Sequence, residues 1–241
     1  MGIARSLSGQ EKRDEHRILY SSFLENQRIS SLLASYYNTQ GRLFPWRRRG
    51  LHAWPVLIAE VMLHMTTATK VSATWSLTTR CYRTPAAMAN AKKNTLYHIL
   101  EPLGLQNQRA AQLKHLGQSI VRCYQSRVPM DEESLCTLPG VGKYTARALL
   151  WTIGKHAEAP VDRNVLRVYR RLTGISRLRE EEIEELFGSM LKSCSNGRST
   201  FLGLLDLSAQ LCRPRRPKCP YCPICSFCVT GKRLVGSETG L

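Results

Sequence analysis

The sequence contains no uncharged apolar run that approaches the roughly 20 residues of a membrane-spanning helix. Its opening residues, MGIARSLSGQEKRDEHR, carry charges where a secretory signal peptide has its apolar segment. The cysteines are not spread evenly along the chain, because five of the nine lie between Cys212 and Cys228. This distribution is poorly suited to stabilising a whole fold with disulfide bonds. We therefore expect a cytoplasmic protein that is neither secreted nor bound to a membrane.

Acidic residues are scarce as well. The 18 Asp and Glu residues face 35 Lys and Arg residues, which leaves a formal net charge of +17. Five of those acids crowd into residues 180–185, so the rest of the surface is more basic still. This charge balance predicts a polyanionic partner, and we expect a DNA-binding protein associated with the nucleoid.

Sustained alternation of apolar and polar residues, the pattern of a half-buried strand, is also missing. Apolar residues recur instead at helical spacing, which predicts an all-α fold. The segment WPVLIAEVMLHM is almost wholly apolar and is typical of a buried helix. The predicted helices span residues 17–37, 54–65, 67–76, 85–92, 93–101, 107–126, 143–155, 162–172, 178–190 and 200–211, with a short helix from Asp131.

The C-terminal cysteines follow the spacing Cys212-x6-Cys219-x2-Cys222-x5-Cys228, with Cys225 inside the last gap. Four thiolates suit either a [4Fe-4S] cluster or a structural zinc ion. Zinc ribbons usually separate two Cys-x2-Cys pairs by roughly 15 to 20 residues, so this compact run favours the iron–sulfur cluster, with zinc as the alternative.

The loop between the first two of these cysteines is rich in cations. It contains Arg213, Arg215, Arg216 and Lys218. A loop fastened by a cluster and lined with positive charges would clamp DNA phosphates. The alternative is that these charges only keep a surface loop solvated.

A second motif, LPGVGK at residues 138–143, lies between two predicted helices. We expect Gly140 and Gly142 to adopt positive φ and to turn backbone N–H groups outward, beside Lys143 at the start of the next helix. This arrangement predicts a helix-hairpin-helix that holds a DNA phosphate. Further along, Asp162 is placed to cap the helix 162–172, either as a cap alone or also as a carboxylate that faces a cleft.

Together these motifs resemble the helix-hairpin-helix DNA glycosylases of the endonuclease III and adenine glycosylase superfamily. The resemblance covers nearly the whole chain up to Cys228. It implies a six-helix barrel at residues 46–157 and a cluster domain assembled from residues 1–45 and 158–241, in a monomer whose cleft holds double-stranded DNA with a mispaired or damaged base. The matching segments, in chain order, are FPWRRR, AEVMLHMTTATKV, LGLQNQRAAQL, LPGVGKYTARALL, VDRNVLRV and the cysteine spacing.

The resemblance also implies roles for three residues. Asp162 matches the family's aspartate, whose carboxylate would stabilise oxocarbenium charge on the sugar and orient or deprotonate water. Glu60 would line the base pocket and contact or protonate the departing base; the alternative is a core glutamate paired with a backbone group or an arginine. Tyr144 would stack on the extruded base or hydrogen-bond to it, the alternative being ordinary packing at a helix start.

Tyr144 also separates two kinds of enzyme. Bifunctional relatives have a lysine at this position, which attacks the sugar as an amine. The neighbouring Lys143 is turned by about 100° along the helix and should point away from the pocket. Met65 and either Leu105 or Gln106 are, by resemblance, the side chains that fill the gap left by the extruded base.

Tyr144 and the short C-terminal tail make the chain similar to the thymine-mismatch branch of the family. The expected activity is that of a monofunctional DNA glycosylase that removes thymine or uracil opposite guanine in base-excision repair. One alternative is the removal of adenine from A·8-oxoguanine or A·G pairs. Another is a non-catalytic, redox-sensing DNA-binding protein, which would need neither Glu60 nor Asp162.

Overall fold

The computed structural model describes the backbone of residues 9–238 except 65 and 156, and the side chains of residues 25–236 with the same two exceptions. Over this range the regular structure is helical and no β-strand occurs, which confirms the all-α class. No helix in it is both long and apolar enough to cross a membrane. The α-helices are α1 (Gly9–Gln40), α2 (Ala53–Met62), α3 (Ala68–Cys81), α4 (Pro85–Ala89), α5 (Lys93–Leu100), α6 (Gln106–Tyr124), α7 (Glu132–Cys136), α8 (Lys143–Thr152), α9 (Arg163–Thr173), α10 (Glu180–Ser193), α11 (Gly197–Gln210) and α12 (Val229–Glu238).

Several helix ends differ from the prediction: α1 begins at Gly9 rather than at residue 17, and α3 ends at Cys81 rather than at residue 76. Helix α2 ends at Met62 rather than at residue 65, because the His64 N–H bonds to the carbonyl of Val61 and tightens the chain into a turn. Helix α12 was not predicted, since Gly231 and Gly236 interrupt its apolar pattern. It packs against α9, and this tertiary contact outweighs its weak intrinsic propensity.

The chain divides into two compact units: a central unit of residues 42–162, and a terminal unit of residues 1–41 and 163–241. The divisions lie at 41/42 and 162/163, whereas the sequence predicted 45/46 and 157/158. The flanks of the central unit are bound to it by side chains. Phe44 stacks on Trp46 with ring centroids 4.8 Å apart, and Arg147 Nη1 donates a hydrogen bond to the carbonyl of Ala159.

Helix α2 runs through the core of the central unit, and Leu57, Ile58 and Ala59 are fully buried there. Its neighbour is α8, while α6 packs against α4 and α5. Gly117 permits the approach of α6 to α4, because a Cβ at this position would come within 2.8 Å of the backbone of α4. The pairing of α2 with α8 brings the C-terminal end of α2 close to the first turn of α8, where His64 contacts Thr145.

The terminal unit joins the two ends of the described chain. Helix α1 lies along α11, and Thr200 Oγ1 donates a 3.2 Å hydrogen bond to the carbonyl of Ser30. A side chain at Gly203 would collide with the backbone of Leu33, so glycine is what lets the two helices approach. Helix α9 contacts α10, α11 and α12 and supports the cysteine-rich segment.

Candidate active site and DNA-binding elements

Glu60 is a carboxyl group inside the apolar helix α2, with only 8% of its surface exposed. Burial raises its pKa from the ordinary 4.5 to about 7, and the positive charge of Arg47 opposes part of that shift. A buried carboxyl group with a pKa near neutrality can hold a proton and release it, which is the property required of a general acid.

Tyr144 lies in the first turn of α8 and is half-buried. Burial raises the pKa of its phenol well above the usual range, and the negative charges of Glu60 and Asp162 raise it further. The phenol therefore stays neutral, and it is close enough to both carboxyl groups for their charges to act on it. The three residues predicted to act on the base and sugar share one environment within the central unit.

Arg47 is a fourth member of this group that sequence analysis did not identify. It is 9% exposed, and its guanidinium carbon lies 5.1 Å from the centroid of the Phe44 ring. Its charge acts on both Glu60 and Tyr144. In the sequence, Arg47 directly follows Phe-Pro-Trp. Aromatic side chains so close in the chain can pack over a guanidinium group, and this was the signal that could have identified Arg47.

Asp162 is half-buried and comes directly before α9. The residues before it are fastened to α8 by two side chains. Arg147 Nη1 donates a hydrogen bond of 3.2 Å to the carbonyl of Ala159, and Trp151 Nε1 donates one of 3.2 Å to the carbonyl of Glu158. The segment that leads to Asp162 is therefore held against α8, the helix that carries Tyr144.

The hairpin between α7 and α8 confirms one glycine prediction and corrects the other. Gly140 has φ 76°, in the left-handed region, and a Cβ there would collide with the side chain of Gln112. Gly142 does not have a positive φ: its φ is −96° and ψ 177°, because it is the N-cap of α8 in an extended conformation that any residue can adopt. Lys143, the first residue of α8, is exposed.

The turn before α6 carries Leu105 and leads into Gln106, two of the residues predicted to enter the DNA stack. Leu105 is 56% exposed and has φ 51°, and the amide of Gln106 donates a 3.0 Å hydrogen bond to the hydroxyl of Tyr97. Met65 lies outside the described residues. The residue before it, His64, is 3.1 Å from Thr145 Oγ1 through Nε2, which connects the turn after α2 to α8.

The cysteine-rich segment of the terminal unit borders a small, partly open cavity, and the cysteines at residues 212, 219, 222, 225 and 228 are among the residues that line it. Two of these sulfurs accept hydrogen bonds: Cys212 Sγ from Arg171 Nη1 at 3.4 Å, and Cys228 Sγ from the N–H of Gly231 at 3.2 Å. Burial raises the pKa of Cys222 to about 12, and the neighbouring thiols add to the rise. A polynuclear cluster needs a space between its ligands, and this cavity supplies one.

The loop that carries the cations predicted to bind phosphate adjoins this cavity, and Lys218 is one of its lining residues. All four are exposed, and Arg216 has a left-handed backbone with φ 52°. They are Arg213, Arg215, Arg216 and Lys218. In the described part of the chain, no three His, Cys, Asp or Glu side chains are grouped closely enough to hold a single metal ion.

Comparison with known proteins places this geometry in a family. The chain is 31% identical over 217 residues to the thymine-DNA glycosylase of Aeropyrum pernix, a match that covers 86% of this chain and 97% of the relative. It is 34% identical over 191 residues to the thymine/uracil-DNA glycosylase of Methanothermobacter thermautotrophicus, covering 77% and 85%. A solved structure of a thermostable thymine-DNA glycosylase superposes with a TM-score of 0.77 at 33% identity, covering 87% of this chain and 97% of that one.

The family model matches residues 58–193, the stretch from α2 through α10 that contains Glu60, the hairpin and Asp162. This range exceeds half of the sequence. The chain belongs to the HhH-GPD superfamily of base excision DNA repair proteins.

Proposed function

We propose that this protein is a monofunctional DNA glycosylase that hydrolyses the N-glycosidic bond of thymine or uracil mispaired with guanine. The observation that carries the proposal is the grouping of Glu60, Tyr144 and Asp162 in one environment, where the pKa of Glu60 is about 7 and the phenol remains neutral. The relatives named above, which are thymine- and uracil-DNA glycosylases, support the choice of base.

The two carboxyl groups have separate tasks in this mechanism. As the bond between sugar and base breaks, positive charge develops on the deoxyribose, and the carboxylate of Asp162 stabilises it and orients the attacking water. Glu60, protonated below about pH 7, donates its proton to the departing base. Arg47 moderates the pKa of Glu60, so that the proton can be both held and given up.

Tyr144 determines where the reaction stops. Its neutral phenol can stack on the extruded base or hydrogen-bond to it, but it cannot form a Schiff base with the sugar. The exposed Lys143 faces solvent one residue earlier on the helix. The expected product is an intact strand that contains an abasic site.

DNA is held by elements that do not read its sequence. The hairpin around Gly140 presents backbone N–H groups and Lys143 to a phosphate, and the loop cations between Cys212 and Cys219 supply a second phosphate contact. Met65 and either Leu105 or Gln106 occupy the space left when the target base is extruded, at a cost of a few kcal/mol that is smallest at a mismatch. The protein acts as a monomer.

Cys212, Cys219, Cys222 and Cys228 would hold a [4Fe-4S] cluster, and their place along one cavity supports this assignment. Bound there, the cluster would cross-link the loop and hold its cations in a fixed arrangement. Arg171 supports this role, because it binds both a cysteine sulfur and the carbonyl of Arg213, at 2.6 Å.

The experiment is an excision assay on labelled duplexes that differ only in the target pair: T·G, U·G, A·G, A·8-oxoguanine or C·G, each analysed with and without alkali. We expect cleavage of the T·G and U·G strands only after alkali. Asp162→Asn should abolish excision while binding to the mismatch survives, since general acid–base groups contribute about 10² to 10⁴-fold. Excision restricted to adenine would replace the proposal with the adenine-specific alternative, and binding without excision of any base would favour the redox-sensing one.

A further inference from the structure

Arg109, on α6, joins two turns that are far apart in the sequence. Its guanidinium group donates three hydrogen bonds to backbone carbonyls: from Nε to Gly104 at 2.9 Å, from Nη1 to Met62 at 2.9 Å and from Nη2 to His64 at 2.7 Å. Only 6% of the residue is exposed. The turn after α2 and the turn before α6 are therefore held at a fixed separation by one side chain.

The chemistry of this contact requires arginine in particular. A planar guanidinium has donors on three nitrogens in a rigid fork, whereas an ammonium group is a point charge on a flexible chain. Three backbone acceptors approached from different directions match the fork. If the group were removed, the buried carbonyl of Met62 would lose its donor, which is costly for a buried polar group.

The turn before α6 presents one apolar side chain to solvent. Leu105 has a left-handed backbone, which is uncommon for a residue other than glycine, and it keeps this conformation while its side chain stays exposed. Gln106 is different, because its amide is engaged with the hydroxyl of Tyr97. The aliphatic side chain of Leu105 forms no hydrogen bonds. Of the two candidates, it is therefore the one that can move from water onto another apolar surface without breaking such a bond.

The other turn is connected to the active site. His64 bonds through its ring to Thr145, the residue after Tyr144, and its own carbonyl accepts the shortest of the three bonds from Arg109. An unbroken series of contacts thus runs from the active-site helix through His64 and Arg109 to the turn that carries Leu105.

We propose that Arg109 is a positioning residue for base extrusion: it sets the distance between the turn that carries Leu105 and the active site, so that Leu105 enters the helix stack where the target base leaves it. The inference rests on the proposed function, because it assumes an extruded base. It assigns the filling of the gap to Leu105 rather than to Gln106, and it gives Arg109 no contact with the base or the sugar.

The test measures extrusion without chemistry. The full-length Asp162→Asn protein serves as the parent, and 2-aminopurine placed beside a U·G mispair reports unstacking by its rise in emission. We expect Arg109→Met to reduce this rise by about fivefold or more at saturating protein, since a displacement of about 1 Å can cost on the order of 10²-fold in a positioned reaction. Leu105→Ala should reduce it similarly, while Arg122→Met, which removes an exposed charge from the same helix, should leave it unchanged.

Two further measurements separate positioning from a merely structural role. Fluorescence anisotropy should give a Kd for the duplex within about threefold of the parent for Arg109→Met, because the hairpin is intact. Arg109→Lys keeps the charge and should melt near the parent's temperature, yet it should lose part of the emission rise. A full rise with Arg109→Met or Leu105→Ala would overturn the inference, as would a loss of binding equal to the loss of extrusion. A parent protein that gives no rise at any mispair would instead contradict the proposed function itself.

Discussion

Arg147 joins the hairpin to the segment before Asp162: its Nε lies 2.9 Å from Glu132 Oε2, and its Nη1 donates a hydrogen bond to the carbonyl of Ala159. The guanidinium is nearly buried, with 8% of its side chain exposed. One side chain therefore connects α7, α8 and the residues that lead to the proposed catalytic carboxylate.

We expect Arg147→Met to lower the single-turnover rate of excision by about tenfold or more, because a small displacement of Asp162 weakens the stabilisation of charge on the sugar. Glu132→Gln, which leaves the hydrogen bond to Ala159 in place, should have a smaller effect. Rapid-quench kinetics at saturating protein checks this, with Arg127→Met as the exposed control. An unchanged rate with a weakened Kd would instead mean that Arg147 serves DNA binding alone.

The pH dependence of excision should show a limb that belongs to Glu60. Its carboxyl group is mainly protonated below about pH 7 and ionised above it, so the rate of proton donation should fall as pH rises through that value. Glu60→Gln should be slower throughout and should lack this limb. A wild-type profile that stays flat from pH 6 to about 8.5 would contradict a general-acid role.

The carboxyl group of Glu60 should also make the free energy of unfolding depend on pH. Below pH 4.5 the carboxyl is protonated in both the folded and the unfolded chain, so burial carries no ionic penalty. Between pH 4.5 and about 7 only the unfolded chain ionises, so the free energy of unfolding falls as pH rises, by about 3 kcal/mol in total. Glu60→Gln should therefore melt at a higher temperature than wild type at pH 8 and close to it at pH 4, as measured by circular dichroism.

Strand cleavage tests the consequence of Tyr144. Borohydride should trap little covalent adduct between the native protein and DNA, since no amine is available at this position. Tyr144→Lys should raise the trapped fraction, because it places an amine beside Glu60 and Asp162. If the native protein is trapped efficiently and Lys143→Gln abolishes trapping, then Lys143 reaches the sugar despite its exposed position.

The cysteine cavity predicts a metal content. Protein purified without oxygen should be brown, with about four irons per chain. Replacing Cys212, Cys219, Cys222 or Cys228 by serine should remove the colour, whereas Cys225→Ser should keep it. Stoichiometric zinc in place of iron would contradict the cluster, and loss of iron only with Cys225→Ser would reassign the ligands.

The helices were predictable because their apolar spacing is strong, and Glu60 was noticeable because an acid within WPVLIAEVMLHM needs a reason. Arg47 and Arg109 were not, since a cation's partners depend on which distant loops the fold brings near it. Gly142 was misjudged for a related reason: glycine permits a positive φ but does not require one, and its place as the N-cap of α8 calls for extended backbone.

The terminal unit has a consequence for how the protein forms during synthesis. Residues 42–162 are contiguous and can bury their core as soon as they leave the ribosome. Helix α1 must wait for α11, since Thr200 and Ser30 are 170 residues apart. At typical rates of about 5–20 residues per second, the wait lasts on the order of ten seconds or more. Throughout that interval the apolar side of α1 lacks its native partner, and transiently exposed apolar surface of this kind makes a nascent chain prone to aggregation.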